Sequence, residues 1–566
     1  MTTAQDQGVR WLMQAVAQAG ATHVLVCPGS RSTPLVQAAI ALENTGIWQL
    51  HVVLDERQAA FAALGMARAG ARPVVITTSG SAVAHLLPAC VEAGETGVGL
   101  LLLTADRPAR LRNCGAPQTV RQTQLLTAYA HCVDLDLTEG GCLADRDQVV
   151  HELDRWSAGQ MLHLNACLDV PLALAPWTPG ELALRRIGPG DFAVAPADSG
   201  IRPPLRGEKV VVLAGPLAPD ANLAAMMAVL TKQAVVLAEA TSNLSTEARQ
   251  HGAPLQWDAL LRDAELLTIL QADRIVRLGE WPASKGLQTL LEKSQAVVEA
   301  VQGPRPSDPL RQLSAVSNLP PAQALLGWLN PPQADPEVQH WRKAWHLADE
   351  AALAEVEALE FGGWERTVIA ELHGDVRKGD WLIVGNSMPV RDLDALRTAA
   401  LPPVKVLCSR GANGIDGTLA MAWGVATASR ERVRVYLGDS ALLHDIGSLQ
   451  LLAQSDADVR ILALDNDGGA IFDYLPARGA MKAADHLRCF TAPHGRSLAA
   501  IAQGFGVPAS EVTTREGLRD AWQDRERGGR LVVFKVDREV SVSRHRQWQR
   551  QAIAAARVAV GLAGPT

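Results

Sequence analysis

The chain runs to 566 residues, 48% of them hydrophobic and 20% charged, with a formal net charge of -7. That size supports several hydrophobic cores in about three or four domains, and an acidic balance with dispersed arginines excludes a nucleic-acid binder built on a basic, aromatic-laced face. No apolar run, the leucine-rich 98–103 included, is long enough for a bilayer, residues 1–10 lack a signal-peptide pattern, and the eight cysteines show no Cys-x-x-Cys spacing, so a cytoplasmic protein with reduced thiols and no membrane insertion is expected.

Strand-like runs alternate with helix-length segments in three blocks, the pattern of open α/β sheets. The first block carries runs at 23–27, 51–55, 74–78 and 99–104, with an Ala-rich helical stretch at 58–69 directly after the acids Asp55 and Glu56. The second has runs at 209–215, 234–238 and 274–279. The third has runs at 381–385, 404–408, 433–438, 461–464 and 531–536. Proline-rich stretches between blocks, from Pro171 to Pro204 and from Pro304 to Pro336, resist regular structure and suit linkers. They divide the chain into 1–185, 186–345 and 346–566. No short repeat is visible, although the first and third blocks could share a fold without sharing motifs.

Two strand ends of the third block carry the clearest chemistry. One stops at Gly438-Asp439-Ser440 and the other at Asp465-Asn466-Asp467-Gly468-Gly469, with a helix-length segment at 444–456 between them. Each motif alone reads as an ordinary turn. Standing together after buried parallel strands, they offer a hard cation the Asp439 carboxylate, the Asn466 amide oxygen and a carbonyl near Gly468. Mg²⁺ takes about six oxygens, commonly including water and phosphate oxygens, so three protein ligands suffice. The glycines let backbone approach a diphosphate.

This layout resembles the thiamine diphosphate signature, Gly-Asp-Gly followed by Asn-Asn, with Ser440 in place of the second glycine and Asp465 in place of the first asparagine. Thiamine chemistry needs a carboxylate against N1′ of the aminopyrimidine, and Glu56 is the candidate. An acid at a helix start also complements the helix dipole. A fuller resemblance lies in Cys27-Pro-Gly-Ser-Arg-Ser-Thr-Pro34, Asp55-Glu-Arg57, Thr78-Ser-Gly-Ser-Ala-Val-Ala84, Leu103-Thr-Ala-Asp-Arg-Pro108 and Cys114-Gly-Ala-Pro-Gln118. The third block adds Gly385-Asn-Ser387 with Arg391, Ser409-Arg-Gly411, Gly414-Ile-Asp-Gly417 and Ile471-Phe472 followed by Leu475-Pro476. Together these resemble the 2-succinyl-5-enolpyruvyl-6-hydroxy-3-cyclohexene-1-carboxylate synthase family of the menaquinone pathway.

The resemblance implies three open, mostly parallel α/β domains of the thiamine diphosphate enzyme type: pyrimidine-binding, central and diphosphate-binding. It implies thiamine diphosphate with Mg²⁺, or Mn²⁺ as a substitute, and the substrates 2-oxoglutarate, which is decarboxylated, and isochorismate, which receives the resulting carbanion. Such anions call for arginines, whose planar fork pairs with carboxylate at two points. By matched motif, Ser387 and Arg391 would hold the distal carboxylate of the 2-oxoglutarate unit. Ser30, Arg31, Arg107 and Lys285 would receive isochorismate, with Arg410 also facing the pocket. Gln118 would stand beside the aminopyrimidine as a catalytic group with Glu56, Ser387, Arg391 and Arg410. Cofactor contacts would come from Glu56, Thr78, Ser387, Gly414, Ile415, Gly438, Asp439, Ser440, Asn466, Gly468, Ile471 and Phe472. Of these, Asp439, Asn466 and Gly468 would hold the metal, and Ile471 would prop the bend of the cofactor. Phe472 and Leu475 could wall the pocket. Pro117, His85 and Gly286 depart from the family pattern. The family also implies a homodimer at minimum and a homotetramer as the expected assembly. The rivals are an acetolactate synthase-like carboligase, whose smaller and less anionic substrates fit the motif arginines less well, and a non-catalytic nucleotide-binding α/β protein, which would not need Glu56, Asp439 and Asn466.

Overall fold

The computed structural model describes residues 3–138, 146–180, 200–301, 307–330, 333–522 and 528–563. The boundary expected near 185, with Pro189 and Pro196, lies outside these residues, as does Pro304. Position 345 falls within the long helix Pro336–Glu357.

Three parallel sheets form, as the apolar runs predict. In the first, β1 (His23–Val26), β2 (Gln49–Val52), β3 (Pro73–Thr77), β4 (Leu101–Asp106), β5 (His131–Asp136) and β6 (Leu162–Cys167) lie in the order β2-β1-β3-β4-β6-β5. The second has β7 (Val210–Ala214), β8 (Val235–Ala238), β9 (Arg274–Leu278), β10 (Val297–Val301) and β11 (Leu313–Ser317) in the order β11-β10-β9-β7-β8. The third has β12 (Trp381–Val384), β13 (Lys405–Leu407), β14 (Val433–Gly438), β15 (Val459–Asp465), β16 (Ala509–Val512) and β17 (Arg530–Lys535) in the order β13-β12-β14-β15-β17-β16. The first and third sheets thus repeat one strand order without shared motifs. In each, the order reverses beside its first strand, at β1/β3 and at β12/β14. Open α/β sheets bind ligands outside the carboxyl ends of strands at such a reversal.

The described residues divide into two compact units. One takes in 1–195 with 411–430 and 445–457, the other 196–410 with 431–444 and 458–566. In the first unit, helix Glu56–Arg68 packs against helix Thr418–Ser429 with backbones nearly touching. A Cβ on Gly65 would stand 2.1 Å from the Met421 carbonyl oxygen, and one on Gly424 2.0 Å from that of Ala62. Asp445 caps the second helix by accepting from the N–H groups of Leu419 (2.8 Å) and Ala420 (3.2 Å). Because the first helix begins at Glu56, this contact sets the position of that carboxylate.

In the second unit the middle and third sheets share one continuous core, in which Leu213, Leu237 and Ile275 join Leu382, Val384 and Leu462. Polar ties reinforce it. The Asn243 side chain pairs with both the carbonyl (3.0 Å) and the N–H (2.7 Å) of Val406, standing in for a strand neighbour at β13. The Asp394 carboxylate accepts from the Ala240 N–H at 2.8 Å. The middle sheet therefore braces helix Met388–Ala395.

A larger side chain at Gly65 must separate two backbones. We expect Gly65→Leu to destabilise the protein by about 1–3 kcal/mol or more, read as a lower midpoint in chemical denaturation.

Candidate active site

The carboxyl edge of the third sheet gathers the cation-binding groups. β14 and β15 are neighbours with Gly438 opposite Leu464, so the residues that follow them meet. Asp439 is 2% exposed. Its Oδ2 accepts from the backbone N–H of Asn466 (3.2 Å) and Gly468 (2.8 Å), and its Oδ1 from the N–H of Ser440 and the Ser440 hydroxyl. Burial pushes the Asp439 carboxyl up and the charge of Asp465 adds to the rise, while the Gly468 and Ser440 hydrogen bonds oppose it. Gly468 sits at φ +122, and a Cβ there would lie 2.1 Å from the Thr491 carbonyl oxygen.

Two groups absent from the expected set complete this edge. His494 Nε2 lies 3.5 Å from Asp439 Oδ2 and 3.4 Å from Asp465 Oδ1, and these three side chains offer ligand atoms within 4.8 Å of one another. Asp467 holds the loop by accepting from the N–H groups of His494 (2.9 Å) and Gly495 (2.8 Å). No short-range pattern marks His494, because the fold alone returns its loop to the strand ends. The donor set fits a divalent cation: the Asn466 side-chain oxygen is buried with no hydrogen-bond partner among the described residues, beside an oriented carboxylate and a glycine backbone. Hard oxygens of this kind suit Mg²⁺ or Mn²⁺. Ile471 and Phe472 lie half-buried on the short 3₁₀ turn Ala470–Tyr474, and Leu475 is exposed.

Beside this edge, Ser387 follows β12 at φ 71, a left-handed conformation that costs a non-glycine residue energy and clusters at functional sites. It begins helix Met388–Ala395, and its carbonyl accepts from Arg391. Arg410 donates to the Asn386 side-chain oxygen at 2.8 Å. Burial lowers the Arg391 pKa and the Arg410 charge lowers it further, so two guanidiniums are held in one electrostatic neighbourhood. Lys285 is the exposed first residue of helix Lys285–Lys293 and pairs with Glu292 at 2.9 Å. Gly286 is glycine for a steric reason, since a Cβ would stand 2.5 Å from the Asp258 carbonyl oxygen.

In the other unit, the carboxyl edge of the first sheet gathers a second group. The loop after β1 runs against the end of β3, and a Cβ on Gly29 would stand 2.4 Å from Thr78 Cβ. Thr78 Oγ1 is buried with no partner among the described residues. Arg107 donates to Ser79 Oγ and, at 2.8 Å, to the Gln118 carbonyl. Its pKa is lowered by burial and then by the charge of Arg31, which itself donates to the Leu168 carbonyl at 2.8 Å. Arg31, Thr78, Arg107 and Gln118 are thereby brought together. Ser30 is exposed, as are Gln118, Pro117 and His85, and Glu56 is half-buried behind its N-cap Asp55. Gly414 and Ile415 belong to a loop pinned at Gly411 and Ala412, whose N–H groups donate to the Glu92 carboxylate at 3.0 and 2.7 Å.

Open parallel sheets with a cation-receptive strand end fit a thiamine diphosphate enzyme. Comparison agrees: residues 6–125 match the family model described as thiamine pyrophosphate enzyme, N-terminal TPP binding domain, and residues 395–536 match its C-terminal TPP binding domain. Three similar proteins are named 2-succinyl-5-enolpyruvyl-6-hydroxy-3-cyclohexene-1-carboxylate synthase. That of Rubrobacter xylanophilus is 36% identical over 96% of this chain and 97% of its own length. That of Myxococcus xanthus is 33% identical over 97% and 98%, and that of Bacillus pumilus 32% over 95% of each. The chain belongs to the 2-succinyl-5-enolpyruvyl-6-hydroxy-3-cyclohexene-1-carboxylate synthase family. Its cofactor is thiamine diphosphate and its chemistry the carbon–carbon bond formation of that family.

Helix Met388–Ala395 is also held from the C-terminal helix Arg538–Ala559. The buried His545 contacts Asp392 through Nε2 at 3.2 Å and the Ser541 carbonyl through Nδ1 at 3.0 Å, with Glu365 3.9 Å away. Burial alone would lower its pKa, but the Asp392 hydrogen bond and the two carboxylates raise it to about 9. A histidine raised from its ordinary 6.5 to about 9 on folding stabilises the native state fully below about pH 6.5, and that contribution fades as the pH rises through 9. We expect His545→Gln to cost about 3–5 kcal/mol at neutral pH. In urea titrations from pH 6 to pH 9.5, the gap between variant and parent should narrow toward the alkaline end.

Proposed function

We propose that this chain decarboxylates 2-oxoglutarate and joins the resulting succinyl unit to isochorismate, yielding 2-succinyl-5-enolpyruvyl-6-hydroxy-3-cyclohexene-1-carboxylate for menaquinone synthesis. The observation that carries this reading is the grouping of arginines at two ligand edges, Arg391 with Arg410 and Arg31 with Arg107, where burial and then the neighbouring guanidinium lower the proton affinity of Arg391 and of Arg107. Such pairs are costly without an anion and favourable with one. Two substrates rich in carboxylates meet that requirement better than pyruvate does.

Thiamine diphosphate, when bound, would supply a carbon that becomes nucleophilic on losing its proton, to add to the 2-oxo group, and an electron sink for loss of carbon dioxide. The chain supplies the rest. Glu56 shares a proton with the aminopyrimidine N1′. Asp439, Asn466 and the Gly468 carbonyl would hold Mg²⁺, or Mn²⁺ in its place, Gly438, Ser440, Gly414, Ile415 and Thr78 would line the cofactor, and Ile471 would prop it. Arg391 and Ser387 orient the 2-oxoglutarate carboxylate remote from the reacting carbon, Arg410 stands beside them, and Gln118 positions a proton near the aminopyrimidine. Ser30, Arg31, Arg107 and Lys285 receive isochorismate, and Phe472 helps exclude water that would protonate the nucleophilic carbon early. The organisation we propose is three domains over 1–185, 186–345 and 346–566, assembled as a homodimer at minimum and as a homotetramer in full, in the cytoplasm. No helix among the described residues is long and apolar enough to cross a membrane.

Purified protein with thiamine diphosphate, Mg²⁺, 2-oxoglutarate and isochorismate should consume isochorismate and release a product of the expected mass, and replacing 2-oxoglutarate by pyruvate should stop turnover. Equal rates with pyruvate would sink this reading in favour of an acetolactate synthase-like one. Glu56→Gln should lower kcat by about 10²–10⁴-fold while thiamine diphosphate still binds by calorimetry, whereas Asp439→Ala should weaken the cofactor itself. Arg391→Ala should raise KM for 2-oxoglutarate by about 10- to 100-fold, the worth of one charge-assisted hydrogen bond, and leave KM for isochorismate nearly unchanged.

A further inference from the structure

The amino-terminal edge of the third sheet, opposite the edge that carries Asp439 and Asn466, holds a cavity of about 710 Å³. It opens among the roots of β14 and β15, beside the turn that leads into β12, within the size range of small-molecule sites. Five arginines line it, Arg377, Arg432, Arg434, Arg460 and Arg519, against the three carboxylates Glu371, Asp375 and Asp458. Those carboxylates are already engaged: Glu371 with Arg515 and Arg519, Asp375 with Arg432 and Arg434, and Asp458 with Arg434. Asp380, at 3.6 Å from Arg432, is a fourth acid of the cluster, and with Arg515 counted six arginines face four carboxylates, so positive charge is left over in a partly desolvated space.

Two features of the wall argue against a self-neutralised salt-bridge cluster. Arg460, 6% exposed, donates through Nη1 to the Trp522 carbonyl at 2.8 Å, but its buried Nε has no hydrogen-bond acceptor among the described residues, with Asp458 3.9 Å away. Trp522, 3% exposed, has an indole N–H that finds no acceptor among the described residues either. Buried donors without acceptors cost free energy that an incoming acceptor recovers. Like-charge crowding is visible too: burial and then Arg434 lower the proton affinity of both Arg432 and Arg460.

We propose that this cavity binds a small polyanion carrying two or more phosphate or carboxylate groups, at a site separate from the carboxyl edge of the sheet. Guanidinium forks match both groups bidentately, and the ligand would sit at the far ends of the two strands whose tips carry Asp439 and Asn466. Because the site shares no residue with the candidate active site, it stands or falls apart from the synthase reading.

The test uses full-length protein saturated with thiamine diphosphate and Mg²⁺. Fructose 1,6-bisphosphate and tricarballylate are titrated separately by calorimetry, so that phosphate ester and carboxylate are distinguished. Gly374 lines the cavity and a Cβ there meets nothing within 4 Å, so Gly374→Glu introduces a carboxylate without a backbone clash. Arg377→Ala with Arg519→Ala removes two outlying guanidiniums. We expect at least one probe to bind at one site per chain, and each variant to weaken it at least about tenfold with thermal midpoint and thiamine diphosphate affinity unchanged. Absence of binding by either probe to the unaltered protein, or binding that either variant leaves undiminished, overturns the proposal.

Discussion

The register between β14 and β15 carries the candidate cofactor site. With Gly438 opposite Leu464, the Asp439 carboxylate falls beneath the backbone N–H groups of residues 466 and 468 and is oriented by both. Burying a carboxylate is expensive unless hydrogen bonds replace its water, and here the neighbouring strand's own continuation supplies them. A one-residue slip would turn every β14 side chain to the other face of the sheet. The loops bearing Asn466, Gly468 and His494 depend on that alignment, since each reaches the site by contact with Asp439 or with a residue beside it.

Charge is handled differently at the two ends of this sheet. At the carboxyl edge, acids face one another across His494 and Lys535, with Lys535 Nζ 3.6 Å from Asp465 Oδ2, an arrangement suited to a cation. At the amino edge, arginines outnumber acids around an open cavity, an arrangement suited to an anion. Arginine tolerates this crowding because it stays charged under burial where lysine would lose its proton. The middle sheet contributes rigidity to both ends through the shared core and through Asn243 and Asp394, so that helix Met388–Ala395, with Ser387 before it and Arg391 on it, is gripped from the middle sheet and from His545 at once.

Apolar strands were legible at interior and edge positions alike, as at β1, β3, β8 and β13, because a covered parallel strand reads as a short apolar run. The interior strand β10, interrupted by Glu299, and its neighbour β11, within the proline-bounded stretch that reads as a linker, were not, nor were the more polar strands. β16 is only partly buried and β5 alternates, while β6 hides His163 and Asn165 in a fully buried strand by bonding both to Thr104. Gly286 illustrates the converse. In the sequence it reads as a departure from the family pattern, whereas the structure gives it a steric cause in the Asp258 carbonyl.

What the sequence by itself determined are the local chemical units: acids and glycines at the ends of strand-length apolar runs, arginines within short motifs, and the alternation that yields three parallel sheets. These rest on short-range rules of periodicity and turn chemistry. Only the tertiary structure decided that His494 joins Asp439, that the middle and third sheets share a core, and that arginines from four separate segments meet around one cavity. Those contacts join residues distant along the chain, and their geometry is set by how whole elements pack, which no local pattern encodes.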